Sequence, residues 1–164
     1  MTIVILDYGA GNVRSVQRAF TAVGVPTEIG RTLDDLLFRD AFVLPGVGNF
    51  GHCARRLREA GFESILQNRS RPILGICVGM QLFYEGSDEA DEPGLGLIRG
   101  RVERLDKPHV GWDEVAGVGY VYFTHHFGKT WLLRKDNLTG VQFHPEKSDG
   151  VGLRFLRDWA GSLR

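Results

Sequence analysis

The chain has 164 residues with 20 basic and 20 acidic side chains, so its formal net charge is zero. This balance excludes the bulk electrostatic attraction by which proteins bind nucleic acid or an anionic membrane surface. A hydrophobic content of 43% is typical of a globular protein with an apolar core. No segment predicts a transmembrane helix, and the amino terminus lacks the pattern of a secretory leader, so we expect a cytoplasmic protein without membrane contact.

The first half of the chain alternates between short apolar runs and helical patterns. Buried strands are predicted at 2–6, 25–29, 41–44 and 72–76, the third broken by Pro45-Gly46. Helices are predicted at 13–23, 33–37, 50–60 and 77–84, the first capped by Asn12 and ended by Gly24. This order predicts an α/β fold with a doubly wound, mainly parallel sheet flanked by helices.

The second half has shorter β-like segments separated by glycine, proline and charged residues. Strands are predicted at 97–104, 120–125 and 138–143, followed by a helix at 150–162. We expect some antiparallel strands here and one domain over 1–164. Parallel sheets bind ligands at the carboxyl ends of their strands, so the loops after Leu6, Leu44 and Ile76 are predicted to meet at the functional site.

Cys77 follows a predicted strand and lies between two glycines, Gly75 and Gly79. This is the pattern of a nucleophile elbow, in which small neighbours leave room for a strained turn. Helical N–H groups after the turn favour a thiolate. A buried core cysteine fits the same segment equally well, so a partner base is needed to decide. The other cysteine, Cys53, lies in an arginine-rich helical segment and is interpreted as structural; two cysteines predict neither a disulfide framework nor a metal site.

A candidate base follows the predicted strand at 138–143. His144 and Glu146 are separated only by Pro145, and this spacing predicts that both side chains reach the same edge of the sheet. His144 would take the thiol proton and return it to a leaving amine, while Glu146 would orient the imidazole. Such a histidine alone is more often an ordinary surface residue, but its combination with the elbow favours a catalytic triad.

Two glycines, Gly46 and Gly48, flank Val47 after the third predicted strand. They allow the peptide to turn its N–H groups inward, and the Val47 and Val78 N–H groups are candidate oxyanion donors. The alternative is an ordinary turn between a strand and a helix.

Together these motifs resemble the class I glutamine amidotransferases, and most closely the glutaminase subunits of imidazole glycerol phosphate synthase. The matching strings, which cover most of the chain, are DYGAGNVRSV, LPGVGNFG, PILGICVGMQLFYEGSDE, GLGLIRGRV, PHVGWDEV and GVQFHPEKS. The resemblance implies a flavodoxin-like domain that hydrolyses L-glutamine to glutamate and ammonia through Cys77, His144 and Glu146, without a cofactor or a metal.

The resemblance also implies a set of substrate-binding residues. Gln81 and Glu89 would hold the amino-acid end of glutamine, together with backbone of Gly46 and Gly48. His126 and Phe127 would contribute, largely through backbone. On the residues alone, Gln81 could be a polar helix-surface residue, and Glu89 could belong to a solvated acidic run.

The implied partner is a (β/α)8-barrel cyclase, which forms a heterodimer with the glutaminase and uses its ammonia on a phosphorylated ribulosyl nucleotide. The products are imidazole glycerol phosphate and an aminoimidazole carboxamide ribonucleotide, in L-histidine biosynthesis. The positions that match the docking face are Asn12, Trp112, Asp113, Tyr122 and Lys147. Trp112 fits a core aromatic equally well. Such subunits are typically inactive until the partner binds, and the resemblance therefore predicts that the peptide at 46–48 must reorient.

The chain departs from the family pattern in three places. It is shorter between Val115 and Asn137, where two connections and a strand pair are compressed. His125-His126-Phe127 replaces the usual His-Ser/Thr-Tyr, and Asp113 replaces an asparagine. These departures leave two alternatives: a paralogous subunit that feeds another synthase, for instance in nucleotide-sugar modification, or a regulatory subunit with little catalysis. A cysteine peptidase on a related scaffold fits the motifs least well.

Overall fold

The structure is a computed structural model that describes residues 1–68 and 70–163. Its strands are β1 (Ile3–Leu6), β2 (Thr27–Gly30), β3 (Ala41–Gly46), β4 (Ile73–Cys77), β5 (Tyr84–Ser87), β6 (Ile98–Val102), β7 (Arg104–Val115), β8 (Gly119–Phe127), β9 (Leu132–Lys135) and β10 (Leu138–Val141). Its helices are α1 (Val13–Ala22), α2 (Leu33–Leu36), α3 (Phe50–Glu59), α4 (Glu63–Gln67), α5 (Val78–Gln81) and α6 (Asp149–Gly161).

Six strands form the central sheet in the order β2-β1-β3-β4-β10-β9. All neighbouring pairs are parallel except β9 and β10, which are antiparallel. The strand order reverses between β1 and β3, and this point in a doubly wound sheet forms a crevice at the carboxyl ends. The predicted fold class is therefore confirmed. The loops after β1 and β3 contact each other at this edge, where the Val47 N–H donates to the Ala10 carbonyl oxygen.

The central strands are buried because helices cover both faces of the sheet. Every residue of β1, β3 and β4 is buried, which explains their continuous apolar runs. Helix α1 directs an apolar stripe to the core through Val13, Val16, Ala19 and Phe20. Asn12 occupies its N-cap position, but its side chain makes no capping hydrogen bond.

Strand β3 continues through the dipeptide that was predicted to break it. Pro45 pairs with Ile76, and Gly46 pairs with Cys77. A proline lacks only the N–H donor, and the extended backbone that it favours is compatible with a strand. Its carbonyl oxygen accepts a hydrogen bond from the Tyr8 hydroxyl at 2.6 Å. The prediction of a break was therefore wrong, and the continuation brings Gly46 beside Cys77.

The helix predicted at 77–84 is also wrong in extent. Helix α5 has four residues, and the chain then enters β5. The Leu82 and Phe83 carbonyl oxygens accept hydrogen bonds from Leu95 and Ile98, which replace the bonds of a longer helix. Helix α4 was not predicted. The second strand begins at Thr27 instead of residue 25 and ends at Gly30.

The second half contains the expected antiparallel strands, in an arrangement that the sequence pattern did not give. Strands β7 and β8 form a long hairpin with a register shift between Arg104 and His109. Pro108 lies in this shift, where its missing N–H interrupts the ladder. Strand β7 was not predicted, because its residues are mostly exposed and show no apolar alternation. The shortened region 115–137 contains the hairpin turn, strand β8 and the edge strand β9.

Candidate active site

Cys77 ends β4 at a sharp turn before α5. Its φ of 54° and ψ of −114° are strained for a residue with a side chain. The flanking glycines are required by space: a Cβ atom at Gly79 would lie 1.8 Å from the Leu44 carbonyl oxygen, and one at Gly75 would lie 2.7 Å from Met80 Cα. The strained turn and its steric requirements have the geometry of a nucleophile elbow.

His144 follows β10 and lies beside Cys77 with its acidic partner behind it. Its Nδ1 donates to Glu146 Oε1 at 2.9 Å, and both side chains are almost completely buried. Burial alone would lower the pKa of His144. Interactions with Cys77 and Glu146 outweigh burial and raise this pKa to about 9. The imidazole therefore favours its protonated form beside Cys77 and the Glu146 carboxyl group.

Main-chain and side-chain bonds to β8 fix the segment that contains this pair. The His144 N–H donates to the Tyr122 carbonyl oxygen at 3.0 Å, and the Tyr122 N–H donates to Ser148 Oγ at 2.9 Å. The Ser148 hydroxyl in turn donates to the His144 carbonyl oxygen at 2.6 Å. The orientation of the imidazole is thus determined by the long hairpin as well as by β10.

A cleft of about 430 Å³ opens over Cys77. Its lining residues are Val47, Gly48, Cys77, Val78, Gln81, Glu89, Thr124, His125, His126, Phe127, His144 and Lys147. Ten of them were candidate site residues on the sequence. Gly46 and Glu146 lie outside the lining: Gly46 pairs with Cys77 in the sheet, and Glu146 lies behind His144. Five segments distant in the sequence therefore meet around one thiol.

The two candidate oxyanion donors differ in orientation. Val78 is the first residue of α5, so its N–H has no partner within the helix. The Val47 N–H donates to the Ala10 carbonyl oxygen at 3.1 Å, away from the cleft. The Val47 carbonyl oxygen accepts from the Cys53 thiol at 3.3 Å. Burial raises the pKa of Cys53 to about 11, so this second cysteine remains a thiol.

Gln81 and Glu89 are not solvated surface residues. Gln81 is 2% exposed, and its Nε2 donates to the Phe127 carbonyl oxygen at 2.9 Å. Glu89 Oε2 accepts from the Phe50 N–H at 2.9 Å, at the beginning of α3. Each therefore has a structural contact in addition to its place in the cleft wall.

Sequence reasoning missed Gln142, Thr124 and His125. Gln142 Nε2 donates to Cys77 Sγ at 3.6 Å, and only its position before His144 in the QFHPE string suggested a role. His125 is buried, and both ring nitrogens lack a hydrogen bond of ordinary geometry to a described residue. Burial, followed by the nearby His109, lowers the pKa of His125 to about 4. His125 is therefore neutral at physiological pH.

The candidate docking residues lie on and beside the outer face of the hairpin. Trp112 pairs with Tyr122 across the strands, and their rings are 6.0 Å apart in an edge-to-face arrangement. Trp112 is 47% exposed, so it is not a core aromatic. Asp113 alternates with Trp112 along β7, so its carboxylate lies on the other face, 3.2 Å from His109 Nε2. Asn12 and Lys147 are exposed. Val110 and Tyr120 are exposed on the same face, giving an apolar surface that the sequence did not predict.

Residues 1–68 and 70–163 contain no group of three potential metal ligands. No helix within them has the length and apolarity to cross a bilayer. Both cysteines are free thiols.

The family model for class I glutamine amidotransferases matches residues 4–118, which is more than half of the chain. The chain belongs to this family. Three curated relatives named imidazole glycerol phosphate synthase subunit HisH extend the similarity beyond His144. The relative from Exiguobacterium sibiricum is 40% identical and is aligned over 96% of this chain and 93% of its own length. The relative from Oceanobacillus iheyensis is 33% identical and is aligned over 99% of this chain and 100% of its own length. The relative from Symbiobacterium thermophilum is 37% identical and is aligned over 96% of this chain and 92% of its own length.

Two solved structures of low sequence identity have the same fold as this chain. A crystal structure described as a glutamine amidotransferase superposes with a TM-score of 0.74 at 22% identity, covering 96% of this chain and 98% of that one. The structure of PurLQS from Thermotoga maritima gives a TM-score of 0.68 at 16% identity, covering 99% of each chain. The similarity to these structures supports the fold, and the curated relatives support the subfamily.

Proposed function

We propose that this chain is a glutaminase that hydrolyses L-glutamine and delivers the ammonia to the cyclase subunit of imidazole glycerol phosphate synthase. The observation on which this proposal rests is a free thiol at a strained elbow beside a buried His144–Glu146 pair, in a chain aligned almost end to end with HisH relatives. The shared hydrophobic core supports one glutaminase domain over 1–164. The free thiols support a reducing, cytoplasmic setting.

In the proposed reaction the Cys77 thiolate attacks the side-chain amide carbon of glutamine. The protonated His144 gives its proton to the leaving nitrogen, so ammonia departs and a glutamyl thioester remains. His144 then takes a proton from water, which attacks the thioester and releases glutamate and the thiol. Glu146 holds the imidazole and stabilises its charged form, and the raised pKa of His144 supports this role.

The oxyanion of each tetrahedral intermediate would be held by the Val78 and Val47 N–H groups. Because the Val47 N–H is bonded to Ala10, we propose that the Gly46–Val47 peptide rotates when the partner docks. Its neighbours are anchored: the Pro45 carbonyl oxygen by the Tyr8 hydroxyl, and the Val47 carbonyl oxygen by the Cys53 thiol. Anchors on both sides favour rotation of this one peptide without movement of the strand.

The proposed substrate-binding side chains have oxygen atoms that are free to accept hydrogen bonds from the substrate. The Gln81 amide nitrogen already donates to two acceptors, which leaves its carbonyl oxygen for the substrate ammonium. Glu89 engages Phe50 with one oxygen, and its other oxygen suits the same ammonium. His126 is exposed, in agreement with a contribution from backbone, and Phe127 borders the cleft beside it. Gly48 lines the cleft just after β3, and Gly46 lies beside Cys77 in the sheet.

The proposed docking surface for the (β/α)8-barrel cyclase is the outer face of the β7–β8 hairpin together with the cleft mouth. It comprises Asn12, Val110, Trp112, Tyr120, Tyr122 and Lys147, and Asp113 contributes from the edge of the hairpin. Exposed apolar residues of this kind on one face are typical of a protein-binding surface. Lys147 also lines the cleft, so a heterodimer that uses this surface would cover the glutaminase site.

The decisive experiment measures glutamate release by the chain alone, with the cyclase, and with the cyclase and its nucleotide ligand. We expect little activity alone and a rise of about 10²-fold or more in the full complex, since gaining one oxyanion donor typically changes rates by 10²–10³. A Cys77→Ala variant in the same complex is the control and should release none. Activity that the cyclase does not change would instead favour a subunit of another synthase.

Covalent labelling separates an active glutaminase from a regulatory subunit. A glutamine-mimicking chloroketone should label one site per chain, and peptide mass spectrometry should locate it at Cys77. Cys53 is the internal control, because it is buried and its pKa is raised to about 11. Absence of label at Cys77 in the complex would contradict the proposed function.

A further inference from the structure

Gln142 is a buried residue that contacts the nucleophile. It follows β10 directly, is fully buried, and donates through Nε2 to Cys77 Sγ at 3.6 Å. It does not belong to the lining of the cleft; it lines a separate cavity of about 270 Å³ with Gln81 and Gly128. Gln142 therefore contacts the sulfur without being placed to contact a substrate.

The direction of the Gln142 amide follows from a backbone carbonyl group. The Phe127 carbonyl oxygen can only accept, so the Gln81 nitrogen must face it, at 2.9 Å. The same nitrogen lies 3.1 Å from Gln142 Oε1, which is therefore the acceptor end of the second amide. The Gln142 amide nitrogen therefore faces Cys77 and donates to its sulfur. A hydrogen-bonded series thus runs from the Phe127 carbonyl through two amides to the thiol.

The loop after β8 closes tightly over this pair of amides. Gly128 has a φ of 95°, and a Cβ atom there would lie 2.6 Å from Gln142 Oε1 and 3.5 Å from Gln81 Nε2. Both glutamine side chains are almost completely buried. Hydrogen bonds in such a low-dielectric setting are electrostatically stronger than in water, and an amide dipole held there cannot easily turn.

We propose that Gln142 is a positioning residue that stabilises the Cys77 thiolate and fixes the direction of its sulfur, with its own amide oriented by Gln81. An N–H donor interacts more strongly with an anionic sulfur than with a thiol, so it favours the reactive form before attack. The inference deepens the proposed glutaminase function and rests on it. It also gives Gln81 a second role, since the same side chain borders the cleft and orients the donor.

The test measures the rate at which iodoacetamide alkylates Cys77 as a function of pH, without glutamine or partner. Gln142→Leu removes the donor, and Gln142→Glu keeps the shape but places a carboxylate beside the sulfur. We expect the rate at pH 7 to fall about tenfold or more in both, since a hydrogen bond to a charged group contributes roughly 1.5–3 kcal/mol. The rates should approach the wild-type value at high pH, where every variant is ionised.

Gln67→Leu is the matched control. This glutamine also donates its side-chain amide to a buried partner, the Leu95 carbonyl oxygen at 3.1 Å, but it does not contact Cys77. Its alkylation profile should equal that of the wild type. Thermal unfolding of each variant identifies a folding defect, and the near-isosteric Gln142→Glu keeps the test valid if Gln142→Leu does not fold. Wild-type alkylation profiles in both Gln142 variants would overturn the proposal.

Steady-state kinetics in the cyclase complex provide a second readout. Because Gln142 does not line the cleft, Gln142→Leu should lower kcat with little change in KM. A rise in KM as large as the fall in kcat would assign Gln142 to the substrate pocket and contradict a positioning role. The alkylation profile requires no turnover, so a wild-type chain without glutaminase activity would refute the proposed function while leaving the role of Gln142 measurable.

Discussion

The Val47 N–H donates to the Ala10 carbonyl oxygen at 3.1 Å, which directs it to the loop after β1 and away from Cys77. If this peptide supplies the second oxyanion donor, its hydrogen bond must be exchanged during activation. The bond thus links the loop that precedes α1, and with it the neighbouring docking residue Asn12, to the chemistry at Cys77.

This relationship predicts a change in one amide signal. In valine-labelled protein, the Val47 amide proton should exchange slowly in the free chain. It should shift markedly when Cys77 is acylated by a glutamine analogue in the cyclase complex, because its acceptor changes from the Ala10 carbonyl oxygen to the carbonyl oxygen of the acyl group. Val25, whose N–H donates to the Phe20 carbonyl oxygen away from the site, is the control. An unchanged Val47 signal in the acylated complex would contradict rotation.

Replacement of Glu146 should affect both catalysis and pH-dependent stability. Glu146→Gln removes the carboxylate that orients His144, and we expect kcat to fall about 10³- to 10⁴-fold. The folded-state pKa of His144 is about 9, above its ordinary 6.5. The stability from its charged form is therefore fully present below pH 6.5 and lost as the pH rises through about 9.

The free energy of unfolding, measured by urea titration between pH 6 and 10, checks this sign. The difference between wild type and Glu146→Gln should be largest near pH 6.5 and should decrease above pH 9. A difference that is constant over the range would show that the loss is steric instead of electrostatic.

His125 predicts the opposite pH dependence. Its pKa in the folded chain is about 4, below the ordinary 6.5, because burial and His109 disfavour the charged ring. Between these values the unfolded chain binds a proton that the folded chain does not, so stability falls as the pH drops from 6.5 towards 4. His125→Phe should reduce this fall in acid titrations followed by circular dichroism. His126→Phe, at an exposed neighbouring position, should keep the wild-type slope.

Trp112→Ala should weaken docking without destabilising the chain. The ring is half exposed and contacts Tyr122 on the outer face of the hairpin, so its truncation leaves no core cavity. We expect cyclase affinity to fall about 30-fold or more, as for a central aromatic of an interface (~2 kcal/mol or more), while Tm changes little. Phe38→Ala is the matched control. This residue is 96% exposed and follows α2, which packs on the opposite edge strand, β2. If both variants lost affinity for the cyclase equally, Trp112 would not be part of the interface.

Local patterns in the sequence determined much of the fold. The apolar runs of β1, β3 and β4 are wholly buried, so their composition alone identified them as central strands. The elbow was also predictable from local sequence, since the glycines around Cys77 leave the space that a strained turn requires. Strand β7 was not predicted because its mostly exposed residues show no apolar alternation. The end of α5 was mispredicted because contacts distant in sequence override the local helical preference. The Leu82 and Phe83 carbonyl groups, for example, bond to the chain at Leu95 and Ile98.

The sequence by itself therefore determined which residues bear the chemistry: a thiol at an elbow, and an imidazole two positions before a carboxylate. Only the tertiary structure decided how these groups are aimed. The donor to the sulfur comes from Gln142, 65 positions away, and the direction of the Val47 N–H depends on a carbonyl group in another loop. The physical reason is that a hydrogen bond is directional, and its direction depends on partners brought together only by the packing of the sheet.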